Sequence, residues 1–104
     1  MNIIDGKIMV FNENETNSYV IEQITADYKE DIANVIGVVR CTAITIKSNA
    51  PLVHNSRAQI ELYNIFADIE YNDANNDGSY VKDAKKAISK RTGVDISRIE
   101  IERS

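Results

Sequence analysis

The fold is decided by residues 56–91, which read SRAQIELYNIFADIEYNDANNDGSYVKDAKKAISKR. Three segments follow one another in this stretch: an apolar-rich segment, an Asn/Asp-rich turn and a lysine-rich segment. None of them carries a constellation of residues typical of catalysis. The stretch therefore predicts elements of structure and usable surfaces, and does not predict a reaction.

The apolar-rich segment, residues 57–72, fits two structures. As a strand, its apolar positions change parity after Asn64, which would indicate a β-bulge. As a helix, it has an apolar stripe, and Ser56 and Gln59 would form a capping box. That stripe consists of Ala58, Leu62, Ile65, Phe66 and Ile69. The β-branched and aromatic content favours the strand, and the helix is kept as the alternative.

The turn, residues 73–78, has the oxygen-ligand spacing of the first half of a calcium-binding loop, ending in Gly78. The twelfth position of such a loop supplies a bidentate glutamate, and here it is Ala84. A loop without this ligand binds calcium poorly. We therefore predict a polar turn that caps the next helix, and no metal site.

The lysine-rich segment, residues 79–91, is predicted to be a helix that stops at Gly93. One of its faces is apolar, and another repeats lysine every four residues, at Lys82, Lys86 and Lys90. These lysines, with Arg40 or Arg91, form the predicted partner-binding site, either for an acidic protein or for nucleic acid. An ordinary solvated face explains the same pattern.

Three further strands and one further helix are predicted in the rest of the chain. The segment Lys7–Phe11 is short and β-prone, and residues 38–47 and 98–102 alternate as half-buried strands do. Residues 18–36 have apolar side chains at a period of 3.6, which predicts an amphipathic helix. The alternative pairs Lys7–Phe11 with residues 19–24 as a hairpin.

Two potentially reactive side chains stand alone in the sequence. Cys41 falls at an apolar position of a predicted strand, so we expect a packed core residue and no nucleophile. His54 lies in a predicted loop without identifiable partners, and acid–base catalysis needs positioned partners. The sequence therefore predicts no catalytic site, no cofactor and no enzyme.

The composition predicts one domain in a soluble protein. The chain has 104 residues, of which 43% are hydrophobic, and no apolar run reaches the roughly 20 residues of a membrane span. A single cysteine and the absence of a secretory signal suggest a reducing, cytoplasmic location. The net charge of −4 argues against a dedicated nucleic-acid binder. The charge alternates in blocks, from −5 over residues 1–35 through +3 and −5 to +3 over residues 79–104.

The predicted order of elements is β-α-β-β-α-β, as in ferredoxin-like α+β sandwiches. A four-stranded, mostly antiparallel sheet would carry both helices on one face. If residues 57–72 are helical, the chain has three strands and three helices. Apolar residues on both parities of the predicted strands suggest that a partner or a second copy covers the other face of the sheet.

This fold does not determine a function. The first hypothesis is a small non-enzymatic protein-binding factor, such as an inhibitor, an immunity-type protein or an accessory protein. One alternative is a homo-oligomeric assembly subunit, and another is a nucleic-acid-binding protein that uses the lysine-rich helix.

Overall fold

The structure is a computed structural model that describes residues 2–31 and 37–104. Its described part is α+β, as predicted, and contains two α-helices and a six-stranded sheet. The strands are β1 (Ile3–Ile4), β2 (Lys7–Phe11), β3 (Thr16–Glu30), β4 (Val38–Ser48), β5 (Glu70–Asn72) and β6 (Ile99–Arg103). The helices are α1 (Leu52–Phe66) and α2 (Tyr80–Thr92), and a 3-10 turn, Ile96–Arg98, precedes β6.

The long strand β3 is the centre of the sheet. Along one side it pairs antiparallel with β4, and along the other it pairs first with β2 and then, in parallel, with β6. Strand β1 continues the sheet beyond β2, and β5 continues it beyond β4. Six strands with this order do not match the ferredoxin-like order or the four-stranded sheet that the sequence predicted.

The helix predicted over residues 18–36 is wrong where the structure describes it, because this segment is β3. A register shift between Ile21 and Gln23 adds one residue to the strand. The buried positions are therefore 21, 24, 26 and 28. The first step of three residues imitates a helical period, although the backbone is extended. The alternative hairpin forms, but β2 pairs with residues 16–20 and not with the predicted residues 19–24. Residues 32–36 of the predicted helix lie outside the described residues.

The strand preferred for residues 57–72 is also wrong, because most of this segment belongs to α1. Its buried residues are Ala58, Leu62 and Phe66, at the four-residue spacing that the helical alternative required. Burying Leu62 and Phe66 contributes about 1.5–3 kcal/mol each, and the β-preference of a segment changes with such packing. The helix begins after Pro51, so the predicted capping box at Ser56 does not form.

The other predicted elements are confirmed with small changes at their ends. They correspond to β2, β4, α2 and β6. Gly93 ends α2 with a φ of 77°, as predicted for a left-handed cap. A side chain at this position would also meet the backbone of Asp5 and Gly6, because a Cβ would lie 2.8 Å from their atoms.

Both helices contribute to one hydrophobic core with the inward side chains of the sheet. A second register shift, between Asp27 and Tyr28, turns Val39, Cys41, Ile44 and Ile46 of β4 to the same side. This bulge explains the apolar residues on both parities of β4. The outward positions of the sheet are polar, among them Thr25, Asp27, Thr45, Lys47, Glu100 and Glu102. Because these outward side chains are polar, the sequence pattern gives no reason to expect that a partner or a second copy covers the outer face of the sheet.

The turn over residues 73–78 is held by the buried carboxylate of Asp73. Its Oδ1 accepts a hydrogen bond from the Gly78 backbone at 3.0 Å, and its Oδ2 lies 3.3 Å from Nε of Arg103. Nη2 of Arg103 also reaches Glu30, 3.4 Å away. Both oxygens of Asp73 are thus engaged, and they tie the turn to the ends of β3 and β6.

We expect the substitution Asp73→Ala to lower the free energy of unfolding by about 2–3 kcal/mol, because it removes hydrogen bonds to a buried charge and leaves Arg103 without this partner. Urea denaturation measures the change. Asp77→Ala in the same turn is the control, since Asp77 is exposed and accepts one backbone bond from Ser79. Equal losses in the two variants would contradict the structural role of Asp73.

Candidate functional site on the open edge of β4

The predicted lysine row lies on the solvent side of α2. Lys82, Lys86 and Lys90 are all exposed, and the structure gives none of them an ion pair with a described residue. The opposite face of α2 is buried through Ala84 and Ile88. The row is therefore an exposed positive surface of α2, which packs beside β6.

Arg40, the fourth predicted site residue, lies elsewhere. It belongs to β4, which is separated from β6 by β3. Its Nε lies 3.3 Å from the carboxylate of Asp31, and its Nη2 contacts the carboxylate of Glu70. Arg40 therefore lies on β4, apart from the lysine row on α2. Its charge is already neutralised by Asp31 and Glu70.

Cys41 is a core residue, as predicted. The side chain is 3% exposed, and its thiol donates to the carbonyl of Ala43 at a distance of 3.4 Å. Burial raises the pKa of the Cys41 thiol to about 11, so the reactive thiolate is scarce at neutral pH.

His54 lies within α1 and not in the predicted loop. It lines a cleft of about 270 Å³ between α1 and β2, together with Arg57 and Glu61 from the same side of the helix. Apolar side chains of β2, among them Phe11, form the other wall. The cleft brings one imidazole, one guanidinium and one carboxylate to a common surface.

Three tyrosines that lie on separate elements pack against one another in the structure. The rings of Tyr28, Tyr71 and Tyr80 lie 5.5–6.1 Å apart. Burial is the main cause that raises the pKa of all three phenols. They come from β3, β5 and the start of α2, so only the folded chain brings them together.

The most distinctive surface is the edge of β4 that faces away from β3. At one end of this edge, β5 pairs with β4 as far as Arg40, opposite Glu70. At the other end, two side chains of α1 take the place of a strand. Oε1 of Gln59 accepts the N–H of Ile46 at 2.8 Å, and Nδ2 of Asn55 donates to the carbonyl of Ile46 at 2.9 Å.

The two amides also support each other. Nδ2 of Asn55 is 3.4 Å from Oε1 of Gln59, and the hydroxyl of Ser48 donates to Oδ1 of Asn55 at 2.6 Å. Asn55 and Gln59 are one helical turn apart, so their side chains lie on the same side of α1. They satisfy both backbone groups of Ile46, which would otherwise be free at a sheet edge.

Residues 41–45 of β4 remain between these two ends, and we call this segment the open edge. Outward-pointing backbone groups recur at every second residue of an antiparallel strand. Since the backbone of Ile46 points away from β3, that of Ile44 does so as well. In the described part of the chain, neither β5 nor an α1 side chain bonds to the backbone of Ile44.

A groove runs between the open edge and α1. Its apolar part, about 210 Å³, is lined by Thr42, Ala43, Ile44, Gln59, Ile60 and Tyr63. A second part of about 380 Å³ shares Thr42 and Tyr63 and continues to Asp68 at the β5 end. Ile60 is 61% exposed, so its side chain leaves an apolar wall of the groove facing solvent.

The sequence alone does not predict this site, since Gln59 stands in it only as a possible capping residue. The sequence feature that could have indicated the site is the four-residue spacing of Asn55 and Gln59, next to the buried residues of α1. This spacing places both amides on one face only if the segment is helical. The interpretation of residues 57–72 as a strand placed Gln59 in that strand and Asn55 in the loop before it.

Neither α1 nor α2 is long and apolar enough to cross a membrane. Among residues 2–31 and 37–104, no group of three or more His, Cys, Asp or Glu side chains could hold a metal ion. Comparison with family models, with curated proteins and with solved structures finds no match to this chain.

We expect Gln59→Met to lower the free energy of unfolding by about 1–2 kcal/mol, because the N–H of Ile46 loses its acceptor. Gln59→Glu keeps an acceptor oxygen at pH 7 and should retain most of the stability. Urea denaturation of both variants measures the difference. If the two variants lost the same stability, the hydrogen bond to Ile46 would not be the contribution of Gln59.

Proposed function

We propose that this protein is a small non-enzymatic protein-binding factor whose docking surface is the open edge of β4 with the adjoining groove. The observation that carries the proposal is the edge-facing backbone of Ile44, to which neither β5 nor an α1 side chain bonds in the described part of the chain, beside the exposed side chain of Ile60. Backbone groups at a sheet edge and an apolar wall next to them are complementary to another polypeptide.

The groove suits a protein partner better than a small ligand. Ligand pockets enclose most of their ligand, whereas this groove is open to solvent along its length. The nearest thiol, that of Cys41, is largely protonated at neutral pH. The exposed surface there offers hydrogen-bonding backbone and aliphatic contact, which bind a chain without transforming it.

Selection of random heptapeptides on the immobilised protein tests this function. We expect enriched peptides whose affinity falls about tenfold or more in Ile60→Lys, because a lysine there brings a charge into the apolar groove. Val53→Lys is the matched control: Val53 is 60% exposed on the same helix but does not line the groove. Isothermal titration calorimetry measures both affinities. Enriched peptides that bind Ile60→Lys as well as the unaltered protein would exclude this surface.

Nucleic-acid binding is a second candidate function, and the exposed lysine row of α2 favours it. Lys82, Lys86 and Lys90 lie along one side of the helix, without ion pairs to described residues. A row of free cations can contact successive phosphates. Such contacts would bind nucleic acid without reading its sequence.

A salt titration with a duplex DNA and a single-stranded RNA tests the second candidate. Nucleic-acid binding requires an affinity that falls steeply as salt rises, with a slope reduced by about one for each lysine replaced by glutamine at these three positions. The control replaces Lys7, Lys29 and Lys47, which are exposed on other elements. Absence of binding at low salt would remove this candidate.

A further inference from the structure

We infer that the partner of this surface is an extended, strand-forming peptide segment that carries an apolar side chain and a basic side chain. The segment would add to the open edge of β4 as a short extra strand. This inference rests on the proposed function and specifies the chemistry of the partner.

The backbone geometry of the edge favours a strand as the occupant. Strand β5 already pairs with the same edge at Val38, Val39 and Arg40, so the edge is competent for strand pairing. Beyond the bulge opposite Asp27 and Tyr28, the backbone of Ile44 points to the same edge. Only an extended segment presents N–H and C=O groups at the matching spacing.

The length of the added strand is limited at both ends. Glu70 of β5 occupies the position opposite Arg40, and the amides of Asn55 and Gln59 occupy the positions opposite Ile46. Five residues, 41–45, lie between these ends, and one of them is the extra residue of the bulge, so at about 3.3 Å per residue they span roughly 13 Å. The amide pair therefore acts as an end stop, which admits a short segment and disfavours edge-to-edge pairing over the whole of β4.

The walls of the groove indicate the side chains that the segment carries. Successive side chains of a strand point to opposite faces, so every second side chain would enter the groove between β4 and α1. There it would meet Ile44, Ile60 and Tyr63, which favour an apolar residue. The intervening side chains would face solvent on the side of Thr45 and can be polar.

The charge at the β5 end of the groove favours a basic residue. Its lining includes two bases, Lys29 and Arg40, and three acids, Glu30, Asp31 and Asp68, which leaves one negative charge in excess. Arg40 is bound by Asp31, and Glu30 by Arg103. Asp68 and Lys29 are both exposed and have no ion pair to a described residue. Arg40 also contacts Glu70, and Arg103 also contacts Asp73, so five acids stand against three bases among the lining charges and their ion-pair partners. A lysine or arginine of the segment would complement this excess of acids.

A walk of single N-methyl groups along an enriched heptapeptide tests the strand. N-methylation removes one N–H donor and blocks close approach at that position. We expect the dissociation constant to rise about tenfold or more at alternate positions and to change less than about twofold between them. Calorimetry with the unaltered protein gives the values, and Ile60→Lys shows that the groove is the site.

The basic residue has its own test. Asp68→Asn should weaken the peptides that carry lysine or arginine by several-fold and reduce the salt dependence of their binding. Lys82→Gln, on the distant helix α2, is the control and should leave the affinity unchanged. Enriched peptides without a basic residue, or with the same affinity for Asp68→Asn, would overturn the assignment of Asp68.

These outcomes separate the inference from the proposed function. Peptides that depend on Ile60 but show no alternation under N-methylation would overturn the added strand and leave the proposed function standing. If no enriched peptide depends on Ile60, both fail. Sedimentation that shows a dimer, dissociated by Ile60→Lys, would assign the edge to a second copy of this chain and overturn the inference.

Discussion

The pairing of β3 on both of its sides is the constraint on which the structure depends. Strands β2, β4 and β6 all pair with it directly, and one β-bulge in its register keeps Ile21, Ile24 and Tyr28 on the inner face. Without the extra residue, the side chains that follow would turn to solvent, since a shift by one residue reverses every position. The core under both helices, and the placement of the polar outer face, follow from this register.

A sheet built around one long strand leaves an edge, and the chain covers that edge unevenly. Strand β5 is three residues long and pairs with only one end of β4. Helix α1 covers the other end with the amides of Asn55 and Gln59, which satisfy Ile46. Edge strands invite pairing with other chains, and natural proteins usually block them. A gap between two blocked ends, beside the exposed Ile60, is therefore a feature that calls for a functional explanation.

The candidate site shows which functional residues a sequence can reveal. The lysines of α2 were visible because they repeat on one element, and a repeat of four residues identifies a helix face by itself. Arg40 was assigned to their site on charge alone, whereas in the structure it lies on β4 and binds Asp31. The open edge could not be predicted from the sequence, because it is the gap between β5 and the amides of α1, and only the arrangement of these two elements creates it.

The sequence by itself determined the α+β class, the end of α2 at Gly93 and the burial of Cys41, because each depends on local pattern or residue type. The tertiary structure alone decided that residues 16–30 form a strand and residues 52–66 a helix. In the first case a bulge, stabilised by pairing with β4, gave a strand the spacing of a helix. In the second, the burial of Leu62 and Phe66 in the core outweighed the β-preference of the segment. A β-preference amounts to about 1 kcal/mol or less per residue and depends on its surroundings, so packing in the core decided between strand and helix.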